Sequence, residues 1–467
     1  MVSLLVAAVG VVTVLTGAAT SATAGIDATG AASTESMAST QSENGAIADT
    51  VPRLKSIALS PLTFSAAPGA TQQLTVTGTY RDGKERTLST SGEAFTSSNP
   101  AIATVSPEGL VTVVAGALVG ATSTIGVTNT RTGISAMPGQ TTVVTATTPS
   151  PTSVAAATAT ATDNALCGAT ISPFYWEIGD QNGPLVSGSI GTSSTGPIVA
   201  STLLSIASAS KLLYASYVVQ VRGTAGNLSA SDINFLHFTS GYTYMPENGS
   251  TSICPATLSP NTINQCLKLT NTSGDSYSAQ DPATVGAFDY DGGHMENHAS
   301  QLMSLGNIGV HSLGSTIAAP LGLGVAFTYT EPLMSGGVAT TASMYALVLR
   351  NILNVDNPLA MNDALGTSPV CTLPSSTCNA IYTPFPEEAW DYSIGHWIED
   401  NPATNGDGAF NSAGSSGFYP WIDATKSYYG VLSRDAPDGA YSSVQCGRLI
   451  RRAFITGVEQ TGTIPTN

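Results

Sequence analysis

Basic charge is scarce in this chain. Of its 467 residues, 15 are lysine or arginine and 31 are acidic, giving a formal net charge of −16. The lysines Lys55, Lys84, Lys211, Lys268 and Lys426 are scattered. No basic cluster is available to hold a phosphate backbone, which argues against nucleic acid as a partner. Charge of either sign is thin, 10% of residues against 42% hydrophobic, a balance that fits a secreted surface better than a cytosolic enzyme. No two cysteines have the Cys-x-x-Cys spacing of zinc or dithiol redox sites. The Gly-x-Ser-x-Gly elbow of α/β-hydrolases is also missing. The apolar run from Val2 to Thr16 is short for a membrane span.

What is present points outward. Val2 to Thr16 followed by Ala22-Thr23-Ala24 reads as a signal peptide over residues 1–24 with a small-residue cleavage site. It lacks a basic start, since the first lysine or arginine is Arg53. Leu15-Thr16-Gly17 resembles a lipobox, with Ala18 where the lipidated cysteine would stand. The reading is a secreted or cell-surface protein. The six cysteines form an even set, as structural disulfides require in an oxidising compartment. Cys254 with Cys266 and Cys371 with Cys378 would close short loops, leaving Cys167 with Cys446; fifteen pairings are formally open.

Composition divides the rest. Residues 25–52 are Ala, Ser, Thr and Gly without periodicity, a disordered spacer. From 53 to 147, short alternating strands are separated by turns, among them Gln73 to Tyr80 followed by Arg81-Asp82-Gly83-Lys84, the pattern of a small β-sandwich. Residues 148–166, Thr-Pro-Ser-Pro and then Ala/Thr repeats, read as a linker with no capacity to form a core. In the last region, 167–467, Phe174, Trp176 and Ile178 alternate with Tyr175 and Glu177. Asn182-Gly183 turns that strand into a hairpin, Phe418–Asp423 and Tyr428–Leu432 form another, and a final helix carries Cys446, Leu449, Ile450, Ala453 and Phe454 on one face. Strands at both ends with helices between predict an α+β domain whose termini meet in one sheet.

One stretch carries chemistry. Lys211 is the only charged residue between Asp180 and Arg222 and sits among Ala, Leu, Val and Tyr. A desolvated lysine disfavours its charged form and can serve as a base. Ser208, three positions earlier, shares its helical face, and a serine beside such a lysine is an activated nucleophile. A snorkelling lysine that happens to follow a serine is the alternative.

Two resemblances extend this reading. The first covers Gln73 to Tyr80, Ser97-Ser98-Asn99-Pro100-Ala101-Ile102-Ala103-Thr104-Val105 and Gly109-Leu110-Val111-Thr112. This segment resembles the bacterial immunoglobulin-like group 2 module, with Phe95 where tryptophan is usual. It implies a spacer or adhesive role, with cell-surface or polysaccharide contact. The second covers the order strand, hairpin, Ser208-x-x-Lys211 helix, and then Thr239-Ser240-Gly241, with Phe238 where histidine is common. These residues resemble the serine β-lactamase and penicillin-binding superfamily. The implied architecture is multidomain, an all-β immunoglobulin-like sandwich followed by an α+β β-lactamase-like domain, an antiparallel sheet flanked by helices.

That second resemblance implies roles. Ser208 would be the acylated nucleophile and Lys211 its base. Tyr290, in Tyr290-Asp291-Gly292-Gly293-His294, would relay the proton to the leaving group. Gly292 stands where the family has a substrate-binding asparagine. Ser412-Ala413-Gly414 stands in place of Lys-Thr-Gly, with Ser412 and Gly414 lining the substrate site. The N–H groups of Ser208 and Ser415 would form the oxyanion hole, and Trp397 would line the cleft. The missing third-motif lysine argues against a strong β-lactamase or carboxypeptidase and favours an esterase or amidase acting on a small-molecule or polymeric substrate, without a cofactor. A catalytically weakened surface-binding protein that keeps the fold is the rival. A metal pair, His294 and His298 with Glu296 between them, is a further candidate; the pair otherwise reads as solvated or capping.

Overall fold

The computed structural model describes residues 53–67, 69–114, 117, 121–137, 139–146, 151–246, 253–254, 261–401, 403 and 406–463. The expected signal peptide and spacer lie outside them. From Leu54 to Ala146 the chain is a sandwich of short strands. Leu54–Ser60 pairs antiparallel with Thr75–Tyr80, which continues through the Asp82-Gly83 turn into Glu85–Thr87. Gly83 takes a φ of +80° there, a conformation that costs glycine little. A second sheet places Thr122–Asn129 between Glu93–Ser97 and Thr142–Ala146. Alternate residues Ile57, Leu59, Leu74, Val76, Ile125 and Val127 are buried between the layers, as the period of two requires. Phe95 is partly buried against this core.

The segment expected to be a linker is largely a helix. Pro151–Asp163 forms α1, and its Ala156, Ala157, Thr160 and Ala161 are buried. Alanine is the strongest helix former, and its small side chain lets α1 lie close against the last helix, Ala440–Thr456. Asn164, just past α1, caps the start of the next helical turn, Ala165–Ala169: its side chain accepts from Leu166 N–H and donates to the carbonyls of Gln460 and Gly462. An Ala/Thr repeat that looks featureless alone becomes an ordered element once this partner is present.

The C-terminal region is built on one antiparallel sheet. Its strands are β1 (Phe174–Asp180), β2 (Gly183–Ile190), β3 (Val370–Cys371), β4 (Asp391–Tyr392), β5 (Trp397–Ile398), β6 (Phe410–Asn411), β7 (Tyr419–Ile422) and β8 (Tyr429–Ser433). They lie in the order β2-β1-β8-β7-β6-β5-β4-β3. The first strand of the region therefore pairs with the last, Trp176 opposite Leu432. The expected alternation of β1 did not become an inside and an outside, because Phe174 to Gly179 are all buried. Glu177 is accommodated by accepting from the hydroxyls of Tyr175 and Tyr429. Helix Ala342–Leu353 lies against β1 and β8, while α1 and the last helix lie against β2, β7 and β8. The helices named below are α2 (Ser210–Arg222), α3 (Ala230–Leu236) and α4 (His294–Gln301). Ten consecutive residues of α2, Ser210 to Val219, are buried.

Disulfides join Cys167 to Cys446, Cys254 to Cys266 and Cys371 to Cys378. The first closes 279 residues and the last closes 7. In the chain-entropy model these loops contribute about 6 and about 2 kcal/mol respectively. The Cys167→Ser/Cys446→Ser pair is therefore expected to lower the Tm more than Cys371→Ser/Cys378→Ser, measured by thermal denaturation of each variant. Equal losses would contradict the entropic origin.

Candidate active site

Ser208 is presented by a clamped turn. Leu204–Ser205 pairs with Val338–Thr340, and the Ile206 N–H donates to Val338 O. Ala207 then takes a φ of +44°, a left-handed conformation that costs a non-glycine residue about 1 kcal/mol. Several bonds hold it: Ser210 Oγ donates to Ala207 O, Tyr345 OH to Ala209 O, and Ser412 Oγ to Ser208 O at 3.1 Å. Ser208 is thereby placed half-buried at the N-terminal end of α2, where the helix dipole favours a developing negative charge.

Lys211 completes the pair. It is 1% exposed, and its Nζ lies 3.1 Å from Ser208 Oγ and 3.1 Å from the Ser335 carbonyl. It also sits over the Tyr290 ring, 4.7 Å from the centroid, and over Phe238 at 5.7 Å. Tyr290 is on the turn between Phe288–Asp289 and α4, its N–H donating to Tyr382 O. Burial raises the carboxyl of neighbouring Asp289 to about 6. Ser208, Tyr290 and Ser415 line one cleft of about 90 Å³ with Asp291, Tyr382, Pro384, Phe385, Ala413 and Ala440. Asp291 is the only charged residue of these walls among the described residues.

The other expected residues divide. Ser412 and Gly414 lie beside the nucleophile turn: a Cβ on Gly414 would come 2.0 Å from Ile206 O, so only glycine permits this close approach. Neither side lines the cleft. Gly292 is also set back from it. Its φ is +110°, and a Cβ there would meet Tyr242 O at 2.3 Å. Asparagine is excluded by the backbone, and with it the family's substrate contact. Trp397 is a correction. It is 1% exposed and stacked on Tyr290 with centroids 5.0 Å apart. The indole supports the tyrosine from behind and does not line the cleft.

The histidine pair is neither solvated nor arranged as metal ligands. His294 and His298 are buried, and every ring nitrogen has its own partner. His294 Nδ1 accepts from Ser240 Oγ at 2.7 Å and Nε2 donates to Asp291 O at 3.1 Å. His298 bonds Tyr214 OH at 2.7 Å and Asp232 Oδ1 at 2.9 Å. Ser240, from the Thr-Ser-Gly segment, thus ties α4 to the site. Burial pushes His294 down to about 3, whereas an unfolded histidine titrates at about 6.5. Its contribution to stability is complete above that value and is lost as pH falls toward the folded midpoint, because the unfolded chain then binds the extra proton. Relative to His294→Gln, which has no imidazole, the wild-type Tm should fall more steeply between pH 7 and pH 4 in thermal melts. Parallel curves would show that His294 ionises normally.

Sequence reasoning missed Ser335, whose carbonyl holds the lysine, and the Tyr382–Phe385 wall. Their side chains carry no local pattern. The Gly336-Gly337 pair after Ser335 is the one signal, since a Cβ on Gly337 would meet Glu331 O at 2.3 Å.

Residues 53–133 match the bacterial Ig-like domain (group 2). No curated protein matches the sequence. Among solved structures, the chain is similar to EstCE1, a hydrolase with promiscuous acyltransferase activity, at 13% identity over 65% of this chain and 98% of that one, TM-score 0.43. Unliganded simvastatin synthase LovD from Aspergillus terreus gives 15% identity over 65% and 97%, TM-score 0.40. A β-lactamase from Mycobacterium bovis gives 14% over 61% and 96%, TM-score 0.36. The chain is multidomain, with an immunoglobulin-like strand-rich N-terminal domain followed by an α+β region.

Proposed function

We propose that this protein is an exported serine hydrolase that forms an acyl-enzyme on Ser208 and cleaves a neutral ester or amide. The observation that carries the reading is Lys211 Nζ, buried and 3.1 Å from Ser208 Oγ at the edge of a cleft. Ser208 Oγ attacks the acyl carbonyl and gives its proton to Lys211 Nζ. The N–H groups of Ser208 and Ser415 receive the oxyanion. Tyr290 passes a proton to the leaving group, and water then releases the acyl chain. Among the described residues that line the cleft Asp291 is the only charged one, and its negative charge favours uncharged acyl groups over penicillins and peptide carboxylates.

Three disulfides support export, and no helix among the described residues is long and apolar enough to cross a membrane. The immunoglobulin-like module would supply the cell-surface or polysaccharide contact. The test is a panel of p-nitrophenyl esters, an amide and a β-lactam, with a fluorophosphonate label read by mass spectrometry. A mass shift on Ser208 and turnover of short neutral esters are expected. Absence of both would make the protein a surface-binding protein that retains the fold.

A further inference from the structure

Glu296 is a buried charge with no part in the chemistry described so far. It is 0% exposed and lies on α4, six positions past Tyr290. Its Oε1 accepts from the Ser335 N–H at 2.9 Å and from Ser335 Oγ at 2.8 Å. The carbonyl of the same Ser335 accepts from Lys211 Nζ at 3.1 Å. A carboxylate on one helix and a lysine on another, both withdrawn from water, thus meet on one residue of the Leu333–Gly337 turn. Glu296 Oε2 has no hydrogen-bond partner among the described residues. A buried carboxylate with one oxygen unpaired destabilises the fold relative to an apolar side chain, so packing does not account for it.

The surroundings narrow its role. Burial, and then the charge of Glu296, raise the hydroxyls of Tyr214 and Tyr329. Lys211 faces the rings of Tyr290 and Phe238, and its charge adds to burial in lowering His294. Glu296 is thus a carboxylate linked to the lysine through a single residue, Ser335.

We propose that Glu296 is a positioning residue: through Ser335 it holds the carbonyl that fixes Lys211 Nζ between Ser208 Oγ and the Tyr290 ring, and its charge favours the lysine that has taken the serine proton. The proposal rests on Ser208 and Lys211 being nucleophile and base. Two full-length variants test it. Glu296→Gln keeps an acceptor for Ser335 and loses the charge; Glu296→Leu loses both. With p-nitrophenyl acetate, Glu296→Leu should lower kcat about 30-fold with KM nearly unchanged, because the base is misplaced. Glu296→Gln should restore most of kcat while moving the acid limb of the kcat/KM profile down by about one pH unit. Unchanged kcat and pH profile in both variants would overturn the proposal, whatever happens to the Tm.

A second readout needs no activity. The chain has five lysines, so side-chain NMR of lysine-labelled protein resolves Lys211, assigned by its loss in Lys211→Met. Its midpoint should fall by about one unit in Glu296→Gln. An unmoved midpoint sinks the role of Glu296 even if the wild type hydrolyses esters. A moved midpoint in a wild type that neither turns over nor labels would support the Glu296–Lys211 link and overturn only the hydrolase reading. Should Glu296→Leu fail to fold, the glutamine variant decides alone.

Discussion

Ser208→Ala is expected to lower kcat for a short neutral ester by about 1,000-fold or more, a loss of about 4 kcal/mol of transition-state stabilisation. The Tm should stay near that of the wild type. Only one oxygen is removed, from a half-buried position, and the turn is held by bonds to Ala207 O, Ser208 O and Ala209 O that the substitution leaves in place. Residual rate should survive at the level that the oxyanion donors and binding alone provide. Steady-state kinetics beside a melt separate the two effects. Activity that persists at more than a tenth of wild type would remove Ser208 as the nucleophile and return attention to another hydroxyl of the cleft.

Lys211→Met should give a comparable loss of kcat, about 100- to 10,000-fold, with two opposing effects on stability. Methionine fills nearly the same volume without charge, and a buried ammonium is costly to desolvate. The gain from removing a buried ammonium is offset by leaving the Glu296 carboxylate without its counter-charge, so the Tm should change little while turnover collapses. Arginine should not rescue activity, because guanidinium does not deprotonate in a protein. A large fall in Tm for Lys211→Met, with kcat within tenfold of wild type, would make the lysine a structural bridge between α2 and the Ser335 turn. The contrast matters because activity lost without stability is what a residue retained for chemistry shows.

Much of the site was legible because its logic is local. Ser208 and Lys211 share one helical face by spacing alone, and a lone lysine in an apolar run announces its own desolvation. Tyr290 was proposed only through the resemblance to a Tyr-x-Asn motif on a turn, and it lies beside Lys211. The module over 53–133 could be read from alternation and turns, which are properties of neighbours in sequence.

Other residues misled because their meaning depends on distant partners. The Ala/Thr stretch read as a linker is helix α1, ordered only when the last helix covers its buried alanines. Trp397 looked like a cleft wall and is a platform beneath Tyr290. The His294–His298 pair read as a metal pair or else as solvated or capping, yet Ser240, Tyr214 and Asp232 from elsewhere in the chain, with Asp291 on the preceding turn, take up its nitrogens.

The sequence by itself thus determined the immunoglobulin-like module and the Ser208–Lys211 spacing that makes them a candidate nucleophile and base, since both follow from residue type at short range. Tertiary structure alone decided what surrounds that pair. The Ser335 carbonyl, the buried Glu296 behind it and the Tyr382–Phe385 wall reach Ser208 and Lys211 from positions more than 80 residues away. Long-range packing and desolvation, which no local pattern encodes, set that environment.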